Sequence, residues 1–138
     1  MPRAQATTSA SRKPLILIVD DMPDIRESVR GVPGRPGFHP ELASNGFEAV
    51  SKATVMGPDV IVMDLNLPEL DGWEATRRLK ANDLTRSIPV IALTGLSVSH
   101  SKAAALEAGC DGFLTKPCYP DALAGEIRRV LRGWRRSH

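Results

Sequence analysis

The feature that most constrains the fold is a series of short, uninterrupted apolar runs that recur along the chain. They are LILIVDD from residue 15, VIVMD at 60–64, PVIALTG at 89–95 and GFLTKP at 112–117. Runs that do not alternate with polar residues are typical of parallel strands covered by helices on both faces. FHPELA at 38–43 is a weaker strand, and Pro40, which lacks an N–H group, places it at a sheet edge. The sequence thus predicts five strands.

Segments with helical spacing of apolar residues separate these strands. They span 23–30, 46–56, 69–81, 97–108 and 120–132, and Gly109 is a natural C-cap of the fourth. Five alternations of strand and helix predict one α/β doubly wound sheet. The side chains expected to face inward are Phe47, Val50, Ala53 or Thr54, Trp73, Leu79, Ala104, Leu106, Leu123, Ile127, Val130 and Leu131.

The formal net charge of +2 conceals an uneven distribution. Residues 1–13 hold three basic side chains and 128–138 hold five, and neither segment has an acidic one. The remaining body, 14–127, carries ten basic and sixteen acidic residues, which disfavours uniform nucleic-acid binding. The basic end is most simply a solvated helix terminus, with a nucleic-acid or membrane patch as the alternative.

Cysteine usage and the apolar runs favour a cytoplasmic protein. No run approaches the roughly 20 residues of a membrane helix, and no apolar block precedes the first strand. Cys110 and Cys118 are expected to be reduced thiols, with a disulfide or metal pair as the weaker alternative.

Polar residues stand where the predicted strands end. The first strand ends in Asp20 and Asp21, the third in Asp64, the fourth in Thr94 and the fifth in Lys116. Ligands of open parallel sheets bind outside these carboxyl ends. Clustered carboxylates suit Mg²⁺, and a lysine and a hydroxyl suit a phosphoryl group. The chemistry indicated is a nucleophilic carboxylate, Asp64, that becomes an aspartyl phosphate.

In these motifs the sequence resembles the receiver domain of two-component response regulators. LILIVDD, VIVMDLNLPELDGWE, PVIALTG and GFLTKP occur in the family's order, and the resemblance covers about 14–132. The intervals match as well, with 43 residues from Asp21 to Asp64, 30 to Thr94 and 22 more to Lys116. The resemblance implies a flavodoxin-like five-stranded sheet of order 2-1-3-4-5 with five flanking helices.

The resemblance also implies a role for each site residue. Asp64 would accept a phosphoryl group from a phosphohistidine on a sensor kinase or phosphotransfer protein. Lys116 would pair with Asp64 and then with the phosphoryl group, while Thr94 and Phe113 would form the switch. Mg²⁺ would be bound by the side chains of Asp21 and Asp64 and the main-chain carbonyl of Asn66, with Asp20 acting through water.

Two departures from the family pattern affect partner recognition. Three glycines and two prolines from Gly31 to Gly37 should end the first helix near Gly31 and leave a loop over 31–37. Only a few residues follow the last helix, which predicts a single-domain regulator, monomeric or weakly dimeric, or a chain cut from a longer protein. The expected organisation is a flexible lead-in at 1–13, the receiver domain at 14–132 and a basic tail at 133–138.

Three functions compete. The leading one is a phosphorylation-controlled switch that catalyses only its own phosphorylation and slow dephosphorylation and acts on a downstream protein. A Mg²⁺-dependent phosphohydrolase would need a general acid two residues after Asp64, where this chain has Asn66. A binding module that works without phosphate, through its basic tail, is the third.

Overall fold

The computed structural model describes residues 13–20, 31–32, 35–65, 72–95, 106–115 and 120–137. Seven strands lie within these ranges. They are β1 (Leu15–Val19), β2 (Gly31–Val32), β3 (Arg35–Pro36), β4 (His39–Ala43), β5 (Val60–Asp64), β6 (Val90–Thr94) and β7 (Gly112–Thr115).

Five of these strands form one parallel sheet. Its order is β4-β1-β5-β6-β7, which is the order 2-1-3-4-5 when β4 is taken as the second of the five. The flavodoxin-like fold expected from the sequence is confirmed. The edge position expected for the strand that holds Pro40 is confirmed as well, because β4 pairs with β1 at one end of the sheet.

Three complete helices and the end of a fourth lie in the described ranges. They are α1 (Gly46–Met56), α2 (Gly72–Ala81) and α3 (Pro120–Ser137), and residues 106–108 are helical before Gly109. The predicted bounds of α1 are confirmed. The predicted helix at 23–30 and the lead-in at 1–12 lie outside the described residues.

The last helix is longer than the sequence predicted. It continues through Ser137, whereas the periodicity indicated an end at Arg132 and a separate tail over 133–138. The added segment is rich in arginine, which is a good helix former and is favoured near the negative end of the helix dipole. The prediction failed because apolar spacing marks where a helix touches the core and not where it ends.

The prediction of a loop over 31–37 is also wrong. Gly31–Val32 pairs antiparallel with Arg35–Pro36 and forms a separate two-stranded sheet. Glycine and proline disfavour helix in this segment, but they still permit a short antiparallel pair of strands.

The sheet has a hydrophobic layer on each face. On one face, α1 and α2 cover a cluster that we call the α1/α2 layer: Leu17, Val19, Ala43, Ala49, Ala53, Ile61, Met63, Leu65, Ala75, Leu79, Ile88, Val90, Ala92 and Cys110. On the other face, α3 covers the α3 layer: Ile16, Ile18, Phe38, Val60, Val62, Ile91, Leu93, Leu123, Ile127 and Val130. Successive strand residues alternate between the two layers, as the pleat requires.

Two side chains expected to face inward are exposed instead. Phe47 is 54% exposed and Leu106 is 60% exposed. On α1 the buried positions are Gly46, Ala49 and Ala53, because small residues let this helix lie close to the sheet. The guanidinium of Arg78 lies 5.6 Å from the centre of the Phe47 ring and covers part of it.

Side chains and a glycine fix both ends of α1. The Asn45 side chain accepts a hydrogen bond from the Glu48 amide at 2.8 Å, and Glu48 accepts one from the Ser44 amide at 2.6 Å. This amide bond is the main reason that the pKa of Glu48 is lowered. Gly57 ends the helix in the left-handed region, at φ 59 and ψ 57. The sharp ends explain why the bounds of α1 could be predicted.

We expect Gly57→Ala to destabilise the protein by about 1–2 kcal/mol, since a side chain at positive φ is strained. Gly125→Ala is the matched control, because nothing lies within 4 Å of the added methyl group on α3. There alanine should stabilise the helix by about 0.5–1 kcal/mol. Urea unfolding would measure both, and equal effects at the two positions would contradict this account of the α1 end.

No helix in the described ranges is both long enough and apolar enough to cross a membrane.

Candidate functional site

Two buried carboxylates lie at the carboxyl ends of neighbouring strands. Val19 of β1 is in register with Met63 of β5, so Asp20 and Asp64 both follow at the same edge of the sheet. Asp20 is 8% exposed and Asp64 is 1% exposed. Each has interactions with other groups of the protein. The parallel pairing of β1 with β5 therefore brings two acidic groups into one sheltered region.

The backbone around these residues is tied to the strands on either side. The amide of Asp20 donates to the carbonyl of Ala43 in β4 at 3.1 Å. Asp64 is in register with Leu93 of β6, and the Leu65 amide donates to the Leu93 carbonyl at 3.0 Å. Hydrogen bonds to neighbouring strands thus fix the backbone positions from which the two carboxylate side chains extend.

Gly72, the first residue of α2, lies directly against the Asp64 backbone. A Cβ atom at Gly72 would stand 2.3 Å from the Asp64 carbonyl oxygen and 2.7 Å from the Leu65 Cα. The space is therefore available only to glycine. The fully buried Thr76 hydroxyl donates to the Gly72 carbonyl at 2.8 Å and so fixes the start of α2.

The oxygen donors at this edge suit a hard divalent cation. Mg²⁺ is usually bound through one or two carboxylates together with waters and phosphate oxygens, and Asp20 and Asp64 supply two carboxylates. Two buried negative charges on adjacent strands also repel each other, which a cation would relieve. Within the described part of the chain no group of three or more acidic, histidine or cysteine side chains is arranged to hold a metal. Asp21 and Asn66, the other two expected ligands, lie outside the described residues.

The other predicted site residues are described only in part. Thr94 is the last residue of β6 and follows Leu93, the register partner of Asp64, but its side chain is not described. Lys116 follows Thr115 of β7 in the sequence and lies outside the described residues. The strand ends that are described therefore place Asp20, Asp64 and the Thr94 backbone at one edge of the sheet.

Phe113, the predicted switch aromatic, lies in the middle of β7. Its side chain is partly buried and packs against the α1/α2 layer, while the next residue, Leu114, packs against the α3 layer. The Phe113 amide donates to the Glu126 carboxylate of α3 at 3.2 Å. The sequence analysis did not single out Glu126, although Glu126 and Arg129 are spaced as a pair on one face of a helix.

Cys110 is buried just before β7. Burial raises the pKa of this thiol to about 11, so that the reactive thiolate is scarce at neutral pH. The sequence analysis expected a reduced thiol, and Cys110 is a free cysteine. Cys118 lies outside the described residues.

We expect Gly72→Ala to destabilise the fold by roughly 1–3 kcal/mol, because the new methyl group would displace the Asp64 backbone. Gly133→Ala is the control, since nothing lies within 4 Å of a methyl group there. Denaturant unfolding would compare the two variants. A Gly72→Ala variant as stable as Gly133→Ala would refute the close approach at Asp64.

The chain matches a family model described as the response regulator receiver domain over residues 16–128. It is 37% identical over 117 residues to the phosphate regulon transcriptional regulatory protein PhoB of Escherichia coli, covering 85% of this chain and 51% of PhoB. It is 34% identical over 119 residues to the DNA-binding dual master transcriptional regulator RpaA of Synechocystis, covering 86% of this chain and 49% of RpaA. The chain thus spans about half the length of these relatives.

Solved structures of similar proteins share this fold. The chemotaxis protein CheY4 of Vibrio cholerae has a TM-score of 0.75 at 30% identity, covering 86% of this chain and 98% of CheY4. The receiver domain of sensor histidine kinase PA1611 from Pseudomonas aeruginosa has a TM-score of 0.72 at 32% identity, covering 88% of this chain and 97% of that domain. That structure has a magnesium ion coordinated in its active-site cleft.

Proposed function

Because this chain belongs to the response regulator receiver domain family of two-component systems, we propose that Asp64 accepts a phosphoryl group from a phosphohistidine. The observation that carries the proposal is the placement of Asp64 at the carboxyl end of β5. It is 1% exposed and lies at the same sheet edge as the buried Asp20. A carboxylate held in this way is shielded from water and positioned as a nucleophile.

In the proposed reaction an Asp64 carboxylate oxygen forms a bond to phosphorus as the bond from phosphorus to the histidine nitrogen breaks. The nitrogen leaves with that electron pair, and the histidine ring ends as neutral imidazole because it already carries a proton on its other nitrogen or takes one up from solvent. No oxidant or reductant is consumed. The chain would contribute mainly positioning and charge, as is general for phosphoryl transfer. On this proposal the protein is not an enzyme with a separate substrate. It catalyses its own phosphorylation and slow dephosphorylation.

Asp20, Asp21, Asp64 and the main-chain carbonyl of Asn66 would hold Mg²⁺ at this edge. A bound cation would offset the negative charge of the carboxylates and of the incoming phosphoryl oxygens. Asp20 and Asp64 support this proposal because both carboxylates are buried at the same sheet edge, and carboxylate oxygens are ligands that Mg²⁺ prefers.

Lys116 and Thr94 would stabilise the product, and Phe113 would transmit its presence. The Lys116 ammonium would pair with the phosphoryl group, and the Thr94 hydroxyl would move to hydrogen-bond a phosphoryl oxygen. Movement of Thr94 in β6 would shift the neighbouring backbone of β7, because Thr94 is in register with Thr115. The Phe113 ring would then turn inward and change the surface formed by β7 and α3.

Receiver domains interact with histidine kinases and with downstream effectors. We propose a sensor histidine kinase or a histidine phosphotransfer protein as the phosphoryl donor and a protein as the downstream target.

Incubation with Mg²⁺ and a small-molecule phosphodonor should add the mass of one phosphoryl group to the intact protein. Asp64→Ala should abolish the adduct, because the acceptor oxygen is lost. Asp83→Ala is the matched control, since Asp83 is an exposed carboxylate on the loop after α2. An adduct that persists in Asp64→Ala, or none in the wild type, would overturn the proposed function.

Mg²⁺ alone should raise the melting temperature of the wild type, because a ligand that binds only the folded state stabilises it. The increase should disappear in Asp20→Asn and in Asp64→Asn, which each remove one negative charge from the site. Asp83→Asn should keep it. Differential scanning fluorimetry with and without Mg²⁺ measures the effect, and equal shifts in all four proteins would contradict a metal site at Asp20 and Asp64.

A further inference from the structure

The carboxylate of Glu126 on α3 reaches the backbone of β7 at the edge of the sheet. One oxygen, Oε2, accepts from the Phe113 amide at 3.2 Å and from the Arg129 Nη2 atom at 2.8 Å. The other oxygen accepts from the Arg129 Nε atom at 2.8 Å. The guanidinium therefore holds the carboxylate at two points while the carboxylate holds a strand amide.

This arrangement depends on the absence of a side chain at Gly112. A Cβ atom there would stand 2.7 Å from Glu126 Oε2 and 3.1 Å from both Ile91 Cγ1 and Val130 Cγ2. Any larger residue would therefore push the carboxylate away from β7. Because Gly112 has no side chain, the Glu126 carboxylate can reach the backbone of β7.

The Arg129 guanidinium favours the ionised form of Glu126 and holds its carboxylate in place. The Glu126 side chain is 16% exposed, whereas its partner Arg129 is 56% exposed. The Arg129 hydrogen bonds lower the pKa of Glu126, burial acts in the opposite direction, and the Phe113 amide lowers the pKa further. A second contact from Arg129 Nη2, to the Asp111 carbonyl at 3.4 Å, ties the same guanidinium to the segment that enters β7.

The residue held in this way is the predicted switch aromatic. The Phe113 ring packs against the α1/α2 layer, whereas Glu126 approaches from α3, which covers the other layer. One peptide group thus connects a ring on one face of the sheet to a helix on the opposite face. A change in the ring's orientation that rotates this peptide would break the bond to Glu126.

We propose that Glu126 is a positioning residue that fixes the peptide of Phe113 and so couples the orientation of its ring to α3. Arg129 and Gly112 are the two residues that allow Glu126 to do this. The inference rests on the proposed function only in giving Phe113 a switching role.

The first test is amide hydrogen exchange of the unphosphorylated protein. Glu126→Ala should speed exchange at the Phe113 amide at least about tenfold, because a hydrogen bond to a partly buried charged acceptor is lost. Glu126→Gln keeps an acceptor oxygen and should restore part of the protection. Glu74→Ala is the matched control, since Glu74 also pairs with an arginine three residues later but on α2. It should leave Phe113 unchanged.

The second test follows the ring itself by NMR of protein labelled at phenylalanine, of which the chain has three. With Mg²⁺ and a phosphodonor, the Phe113 ring signal of the wild type should shift. Glu126→Ala without phosphodonor should move that signal in the same direction, which a purely structural contact would not do. Glu74→Ala should leave it in place.

These measurements separate the inference from the proposed function. Absence of a phosphoryl adduct in the wild type would overturn the proposed function, while the exchange rates of the unphosphorylated variants would still decide the role of Glu126. Wild-type exchange and ring signals in Glu126→Ala, or changes equal to those in Glu74→Ala, would refute the inference. If Glu126→Ala does not fold, Arg129→Gln tests the same coupling, because it leaves Glu126 in place without its guanidinium. It should accelerate Phe113 exchange in the same direction, and no acceleration would refute the inference.

Discussion

The parallel pairing of β1 with β5 is the interaction on which the rest of the site depends. Val19 is in register with Met63, so Asp20 and Asp64 follow at the same edge of the sheet. The hydrogen bonds between the two strands therefore determine where the two carboxylates lie. Both strands are buried between helices, and their carboxylates therefore emerge at a sheltered edge and not in open solvent. The packing of the hydrophobic layers therefore has to offset the repulsion between the two carboxylates that it holds at this edge.

The close contacts around this edge are made by residues with little or no side chain. Gly72 lets α2 begin against the Asp64 carbonyl, and Gly112 lets α3 reach β7. Ala49 and Ala53 let α1 lie close to the sheet. Larger side chains at these positions would move whole helices, so the geometry at Asp64 and at Phe113 depends on small residues that carry no chemistry themselves.

The elements that the sequence predicted well are those with strong local signals. β5 and α1 were predicted within their bounds, because VIVMD is an unbroken apolar run and because Asn45 and Gly57 mark the two ends of α1. Phe47 was placed inward wrongly, since periodicity alone does not say which face of a helix must be small enough to approach a sheet. Glu126 was missed for a different reason. Its partner is a backbone amide 13 residues away, and the contact depends on a side chain that Gly112 does not have. At the site, the strand ends led to Asp20 and Asp64, which the structure places at one sheet edge, and the roles of all the predicted site residues stay predictions.

The buried thiol before β7 has a practical consequence. Cys110 is 7% exposed, and its high pKa makes it a poor nucleophile while the sheet edge is closed. Modification by an alkylating reagent therefore requires the edge to open, and the rate of modification at Cys110 measures how often it does so. The chain thus carries a native chemical reporter of local opening just before β7, and peptide mapping distinguishes it from Cys118.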